Sequence, residues 1–203
     1  MIDWKALKEP AFIAYASANL LIFLAYFIPM FFVPFYAIQR LGTTPQLGFD
    51  LLAVLNAASA FGRIGSSLIS QKVGADRLLL AAIVTSSVLL FAWIGVHTLA
   101  GFVVFCVLFG FFSGILISAN PVTMAHPAIS PTPGVFGTRL GMQWFATSIG
   151  VFIGAPIAGA LGDDGSDEAF RKISIFSGVT MAAGASLFMV PLIAIQRHDK
   201  MNA

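Results

Sequence analysis

Arg63 is the only charged residue between Asp50 and Lys72, and it sits in the run NAASAFGRIGSS. A guanidinium stays charged at every physiological pH, and its planar fork matches a carboxylate with two parallel hydrogen bonds. On a helix, Asn56 and Ser59 fall within about 60° of Arg63. In an earlier apolar run Tyr15, Asn19 and Tyr26 fall within about 40° of one another. In a later one Gln143 and Thr147 share a face with Gly150 and Gly154. One cation among uncharged donors and acceptors can hold a small organic anion. The chemistry expected of these residues is recognition, with Arg63, Asn56, Ser59, Tyr15, Asn19 and Gln143 as substrate-binding candidates.

Bond-making chemistry has little support. All nine acids (Asp3, Glu9, Asp50, Asp76, Asp163, Asp164, Asp167, Glu168 and Asp199) fall in loops or at the ends of apolar runs, so no intramembrane proton relay is expected. An intramembrane serine protease needs Gly-x-Ser-Gly in its fourth span and a histidine in its sixth to activate the hydroxyl. Here the fourth span offers FFSG (111–114), and residues 173–195 contain no histidine. His126 and His198 are read as lying in a loop and a tail, too scattered for a metal site. Cys106 stands alone, so there is no disulfide framework. The chain is not expected to be an enzyme or to carry a metal or cofactor; a coupling proton is the candidate exception.

The elements that must position these side chains follow from composition. Of the 203 residues 58% are hydrophobic and 10% charged, with a mean hydropathy of +0.91. Soluble domains average about 25% charged residues, so the expected solvent is lipid. The formal net charge of +2 forms no basic patch for nucleic acid. A membrane helix needs about 20 apolar residues, which places spans at about 11–34, 49–71, 78–96, 99–121, 139–161 and 173–195 of one transmembrane domain, 1–203. GVHTLAG (95–101) breaks the long uncharged stretch into a hairpin. The mixed-charge MIDWKALKE does not read as a signal peptide.

Six spans put both termini on one side. Lys5, Lys8, Lys72, Arg77, Arg197 and Lys200, with Arg139 at the edge, make that side the positive one, hence cytoplasmic. The acidic GDDGSDE loop falls on the other. Gly110 with Gly114, Gly150 with Gly154, and Gly62 with Gly65 and Ser66 are spaced for close helix approach. Pro29, Pro34, Pro121, Pro156 and Pro191 fall within or near span ends, where kinks suit helices that rock. Three helices each bearing a polar stripe fit a lined cavity.

FGRIGSSLISQKVGADR (61–77) resembles the eighth helix and following loop of major facilitator transporters, with Gly74, Asp76 and Arg77 in the position of the family's Gly-x-x-Asp-Arg turn. GFFSGILISANPVTMAHP (110–127) and GTRLGMQWFATSIGVFIGAPIAGAL (137–161) resemble the tenth and eleventh helices of its fungal monocarboxylate-porter-like branch. The resemblance covers nearly the whole chain. It implies an all-α polytopic bundle, the C-terminal six-helix half of a transporter in the plasma membrane. Its partners would be the lipid bilayer, a small organic solute and an N-terminal six-helix half. It implies that Arg63 engages a substrate carboxylate, and that Gly74, Asp76, Arg77 and Arg139 belong to a structural or gating loop. One departure stands out: the monocarboxylate porters carry Asp four residues before this arginine, where this chain has Ser59. The implied function is transport of a monocarboxylate-type anion by alternating access. The other reading is a non-transporting scaffold or an inactive truncated half.

Overall fold

The computed structural model describes residues 2–162 and 165–202. Asp163 and Asp164 of the acidic loop lie outside them. Among the described residues the regular structure is helical: α1 (Pro10–Tyr26), α2 (Ile28–Leu41), α3 (Pro45–Val73), α4 (Ala75–Ala92), α5 (Leu99–Met124), α6 (Pro133–Leu161) and α7 (Asp167–Asn202), with short 3₁₀ turns at Ala6–Lys8 and Trp93–Gly95. Six stretches are long and apolar enough to cross a membrane, α1 and α2 together forming the first, Pro10–Leu41.

Local chemistry sets the boundaries. Pro10, Pro45 and Pro133 open their helices, where the missing N–H costs nothing. Thr44 and Thr98 cap α3 and α5, their hydroxyls accepting the Leu47 and Gly101 N–H. Gly42 ends α2 in the left-handed region, φ 62°. Gly74, at φ 93°, lets α3 pass directly into α4; a Cβ there would lie 2.7 Å from the Asp76 carboxylate. The first span breaks at Phe27, just before Pro29, because proline supplies no N–H to the preceding turn. Proline is also accommodated inside α2, α5, α6 and α7. The last helix continues beyond its apolar stretch, so residues 196–202 are helix rather than tail.

α3 packs on α5, α1 on both α6 and α7, α4 on α5 and α7, and α2 on α3. Glycines decide how closely. A Cβ added to Gly62, Gly110 or Gly114 would sit 2.0, 2.3 and 2.1 Å from the Phe111, Leu55 and Ser59 carbonyl oxygens. On α6, Gly150 and Gly154 meet the Leu20 and Leu24 carbonyls in the same way, at 2.3 and 2.1 Å. These two seams bring backbones into contact where lipid supplies no hydrophobic drive for helix association. They place the polar faces of α1, α3, α5 and α6 relative to one another.

Candidate functional site

The α3–α5 seam holds Arg63 on the open side of the bundle. Its side chain is exposed, and among the described residues no carboxylate lies within ion-pair distance of it. The Arg63–Asp76 ion pair that could have explained this cation structurally does not form. Asp76 instead stands in the first turn of α4, where a negative charge complements the helix dipole, and Arg77 is exposed beside it. Inside the bundle from Arg63 lies the Tyr26 hydroxyl, with Ser113, Ser59 and Arg63 as its polar neighbours. Tyr26 is 1% exposed and Ser59 2%, and among the described residues neither hydroxyl has a partner in hydrogen-bonding geometry. Ser113 is committed to the Gly110 carbonyl at 2.7 Å. Buried polar atoms usually find partners, so Arg63 beside the Tyr26 and Ser59 hydroxyls, neither of them in full hydrogen-bonding geometry, makes a polar locus. Asn56 is on the same helix and exposed; its amide donates to the Leu52 carbonyl at 2.9 Å.

The other stripes go elsewhere. Tyr15, Asn19 and Gln143 have no exposed surface. The Tyr15 hydroxyl donates to the Asn120 backbone carbonyl at 2.7 Å and side-chain oxygen at 3.0 Å. Asn120 in turn donates to Asn19, whose amide donates to the Tyr15 carbonyl at 2.9 Å. This closed loop of bonds ties α1 to α5; interhelical bonds of this kind contribute about 0.6–2 kcal/mol each. Gln143 donates to Thr147 at 3.0 Å on its own helix. The expectation that three stripes line one cavity is therefore corrected: the Tyr15–Asn19 part of α1's stripe and α6's stripe are buried against neighbouring helices, the Gln143 amide oxygen without a hydrogen-bond partner among the described residues, and Arg63, Ser59 and Tyr26 remain together. Asn120 was not singled out in the sequence; as a mid-span asparagine it carried the same signal as Asn19.

The buried cation of the fold is Arg139 rather than Arg63. It is 2% exposed, not the edge residue that charge counting suggests. Its guanidinium grips Glu9 with both ends of the fork, at 2.6 and 2.8 Å, and its Nε donates to Asp3 at 2.9 Å. It also donates to the Ile129 carbonyl and lies 5.7 Å from the centre of the Phe12 ring. Asp3 further accepts the Lys5 and Ala6 N–H. Burial pushes the Asp3 carboxyl up, but the Arg139 hydrogen bond and those two N–H groups outweigh it and hold the group below the usual carboxylate range. One arginine so locks the segment before α1, the start of α6 and the loop between α5 and α6 into one unit. The signal available in the sequence was the pair of acids flanking the first span at the end where Arg139 begins the fifth.

No family model matches the chain. It is similar over nearly all its length to fungal transporters: 34% identical over 197 residues to the aspyridones efflux protein of Emericella nidulans, covering 97% of this chain and 39% of that protein. It is 33% identical over 187 residues to an MFS (major facilitator superfamily) transporter of Aspergillus flavus, covering 92% of this chain and 41% of the relative. To the agnestins efflux protein of Paecilomyces divaricatus it is 31% identical over 194 residues, 96% of this chain and 43% of the other. The chain thus spans about two-fifths of the length of these relatives, which are named as transporters and efflux proteins rather than enzymes. With six membrane-length helices and this similarity along them, the chain is an all-helical, multi-pass membrane bundle of the kind that makes up one half of a major facilitator fold.

Proposed function

We propose that this bundle is the C-terminal half of a secondary transporter that moves a small organic anion of the monocarboxylate type by alternating access, and that it works together with a second six-helix half. The observation that carries the reading is the Arg63 locus: a permanent cation with no carboxylate partner among the described residues, about 13 Å inside the end of its helix marked by Lys72, beside the Tyr26 and Ser59 hydroxyls, which among the described residues have no partner in hydrogen-bonding geometry. Intramembrane charges are costly and mark solute pathways, and substrate sites in this architecture lie between two repeats near the midplane. An exposed Arg63 on the open face of one half is available to such a shared site. Ser59 stands where an arginine–acid pair would need its acid. Any coupling proton would therefore have to be handled elsewhere.

The test uses the chain paired with an N-terminal half and reads solute affinity and folded yield together. Arg63→Ala is expected to leave folded yield near that of the native protein, because no ion pair is lost, and to weaken binding of the anion roughly tenfold or more, the worth of a charge-assisted hydrogen bond. Arg63→Lys is expected to lose most of that affinity despite keeping the charge, since an ammonium lacks the fork. Asp76→Asn should leave affinity unchanged. An Arg63→Ala protein that folds and binds normally would end the proposal.

Orientation belongs to the same reading. The charge bias puts both termini and the Arg139 lock on the cytoplasmic side, with the 95–99 loop outside. The native thiol, Cys106, is buried in α5, so background labelling should be small. His97→Cys, in that exposed loop, is then expected to react with an impermeant thiol reagent added to intact cells. Reaction only after permeabilisation would invert the map.

A further inference from the structure

We propose that His126, His198 and Asp199 form a binding site for a zinc-class divalent cation at the end of the bundle where α5 finishes. Far apart in the chain, the three meet because α7 stays helical to Asn202 and carries His198 and Asp199 past the end of its apolar stretch, beside the residue that follows the C-cap of α5. Their ligand atoms all lie within 4.8 Å of one another. His126 Nε2 is 3.0 Å from Asp199 Oδ1, and His198 Nδ1 is 3.8 Å from the same oxygen. In a tetrahedral zinc site, bonds of about 2.0–2.1 Å leave ligand atoms roughly 3.3 Å apart. One edge is already that short, and closing the others takes side-chain shifts of about an ångström. The side chains are partly exposed and can make them, at 25% for His126, 36% for His198 and 60% for Asp199.

Two imidazoles and one carboxylate make a borderline donor set, suited to zinc and poor for the hard ions magnesium and calcium. Three protein ligands leave a fourth position open. Beside the cluster is a cavity of about 440 Å³ whose wall includes His126, Asp199, Asp76, Gln71 and Ser70, which has room and polar partners for a metal-bound water. The protons balance with no net release, water serving as the carrier. His126 Nδ1 accepts the Ala128 N–H at 3.2 Å, so Nε2 carries the ring proton and donates it to Asp199. When the metal takes Nε2, that proton leaves to water and one is taken up at Nδ1, releasing the Ala128 contact; His198 Nδ1 likewise exchanges its contact with the Asn202 amide, at 3.2 Å, for the ion. Asp199 exchanges the imidazole N–H for the ion. A bound ion would staple the end of α7 to the loop after α5, next to the Gly74–Asp76 turn.

The test uses the 203-residue chain in detergent, without affinity-tag histidines, dialysed against Zn²⁺ and then analysed for bound metal. The expected result is one zinc per chain, with Ca²⁺ and Mg²⁺ not retained. Affinity should fall by on the order of tenfold or more in each of His126→Gln, His198→Gln and Asp199→Asn, while His97→Gln binds as the native chain does. Because a variant could fold poorly, a measurement on the native chain stands beside these: Co²⁺ should give the intense visible bands of four-coordinate cobalt, and Zn²⁺ should raise the unfolding temperature. Absence of stoichiometric zinc, a weak octahedral cobalt spectrum, or variants that bind like the native chain would each overturn the site.

Discussion

Arg139→Ala is expected to destabilise the folded bundle by about 3–5 kcal/mol, the range seen when one partner of a buried ion pair is removed. Three losses coincide. The Asp3 and Glu9 carboxylates are left facing each other without their cation, the Ile129 carbonyl loses its donor, and the Phe12 ring loses the guanidinium beside it. Because the Glu9 side chain is 37% exposed, water recovers part of the cost, and the lower end of the range is the better expectation. Arg139→Lys restores the charge but not the two-pronged grip and should recover only part of the loss. The lock also has a pH signature. The Asp3 carboxyl is held below its ordinary value in the folded chain. Its contribution is therefore present in full above the usual carboxylate range near 3.9 and is lost as pH falls through the folded value. Unfolding temperatures in detergent, measured from neutral pH down to about 3, should show the native chain losing stability in that acid window. The Arg139→Ala chain, less stable throughout, should lose less over the same window. Equal stability of the two at neutral pH would show that the lock is not structural.

Gly114→Val is expected to be at least as damaging, for a steric reason. The new Cβ would sit 2.1 Å from the Ser59 carbonyl oxygen and 2.9 Å from its carbon, both backbone atoms that cannot move without separating α3 from α5. Overpacking in cores costs typically about 1–3 kcal/mol where side chains can adjust; a backbone obstacle puts this change at the top of that range. Gly154→Val should behave alike at the α1–α6 seam, where the Leu24 carbonyl oxygen is 2.1 Å away. The control is Gly159→Ala on the same helix. Among the described residues nothing lies within 4 Å of its Cβ, so the variant should match the native chain or gain up to about 1 kcal/mol from helix propensity. Folded yield and unfolding temperature for the three variants decide the matter. If Gly114→Val unfolds at the native temperature, the seam is looser than described. The α3–α5 seam also carries Ser59 and Arg63, so widening it would displace the polar locus as well.

Helical periodicity placed Asn56, Ser59 and Arg63 on one face correctly, because that relation is internal to a single helix. It could not say what each face meets. Tyr15 and Asn19 share a face with Tyr26 by the same rule. In the fold the first two close on Asn120 while Tyr26 reaches Ser59, Ser113 and Arg63. The stripe divides because Tyr15 and Asn19 face Asn120 of α5, whereas Tyr26, at the last residue of α1, has Ser59 and Arg63 of α3 and Ser113 of α5 as its neighbours. Gln143 was legible as polar and mid-span, but not as an amide turned in toward Thr147.

What the sequence determined by itself is whatever depends on neighbours along the chain. Hydropathy summed over a window sets the six membrane crossings, proline and glycine set the caps and turns, and the small-residue spacings mark the close seams before any partner is known. An absence was also readable: no acid near Arg63 on its own helix. What tertiary structure decided is every pairing between distant segments. It turned Arg139 from an edge charge into a buried lock on Asp3 and Glu9, left Arg63 exposed with no carboxylate partner among the described residues, buried Tyr15, Asn19 and Gln143, and brought His126 to His198 and Asp199. The physical reason is that a side chain's partner depends on which helix lies across from it and at what depth. That is set by where glycines let two backbones touch, a property of pairs of helices that no single stretch of sequence contains.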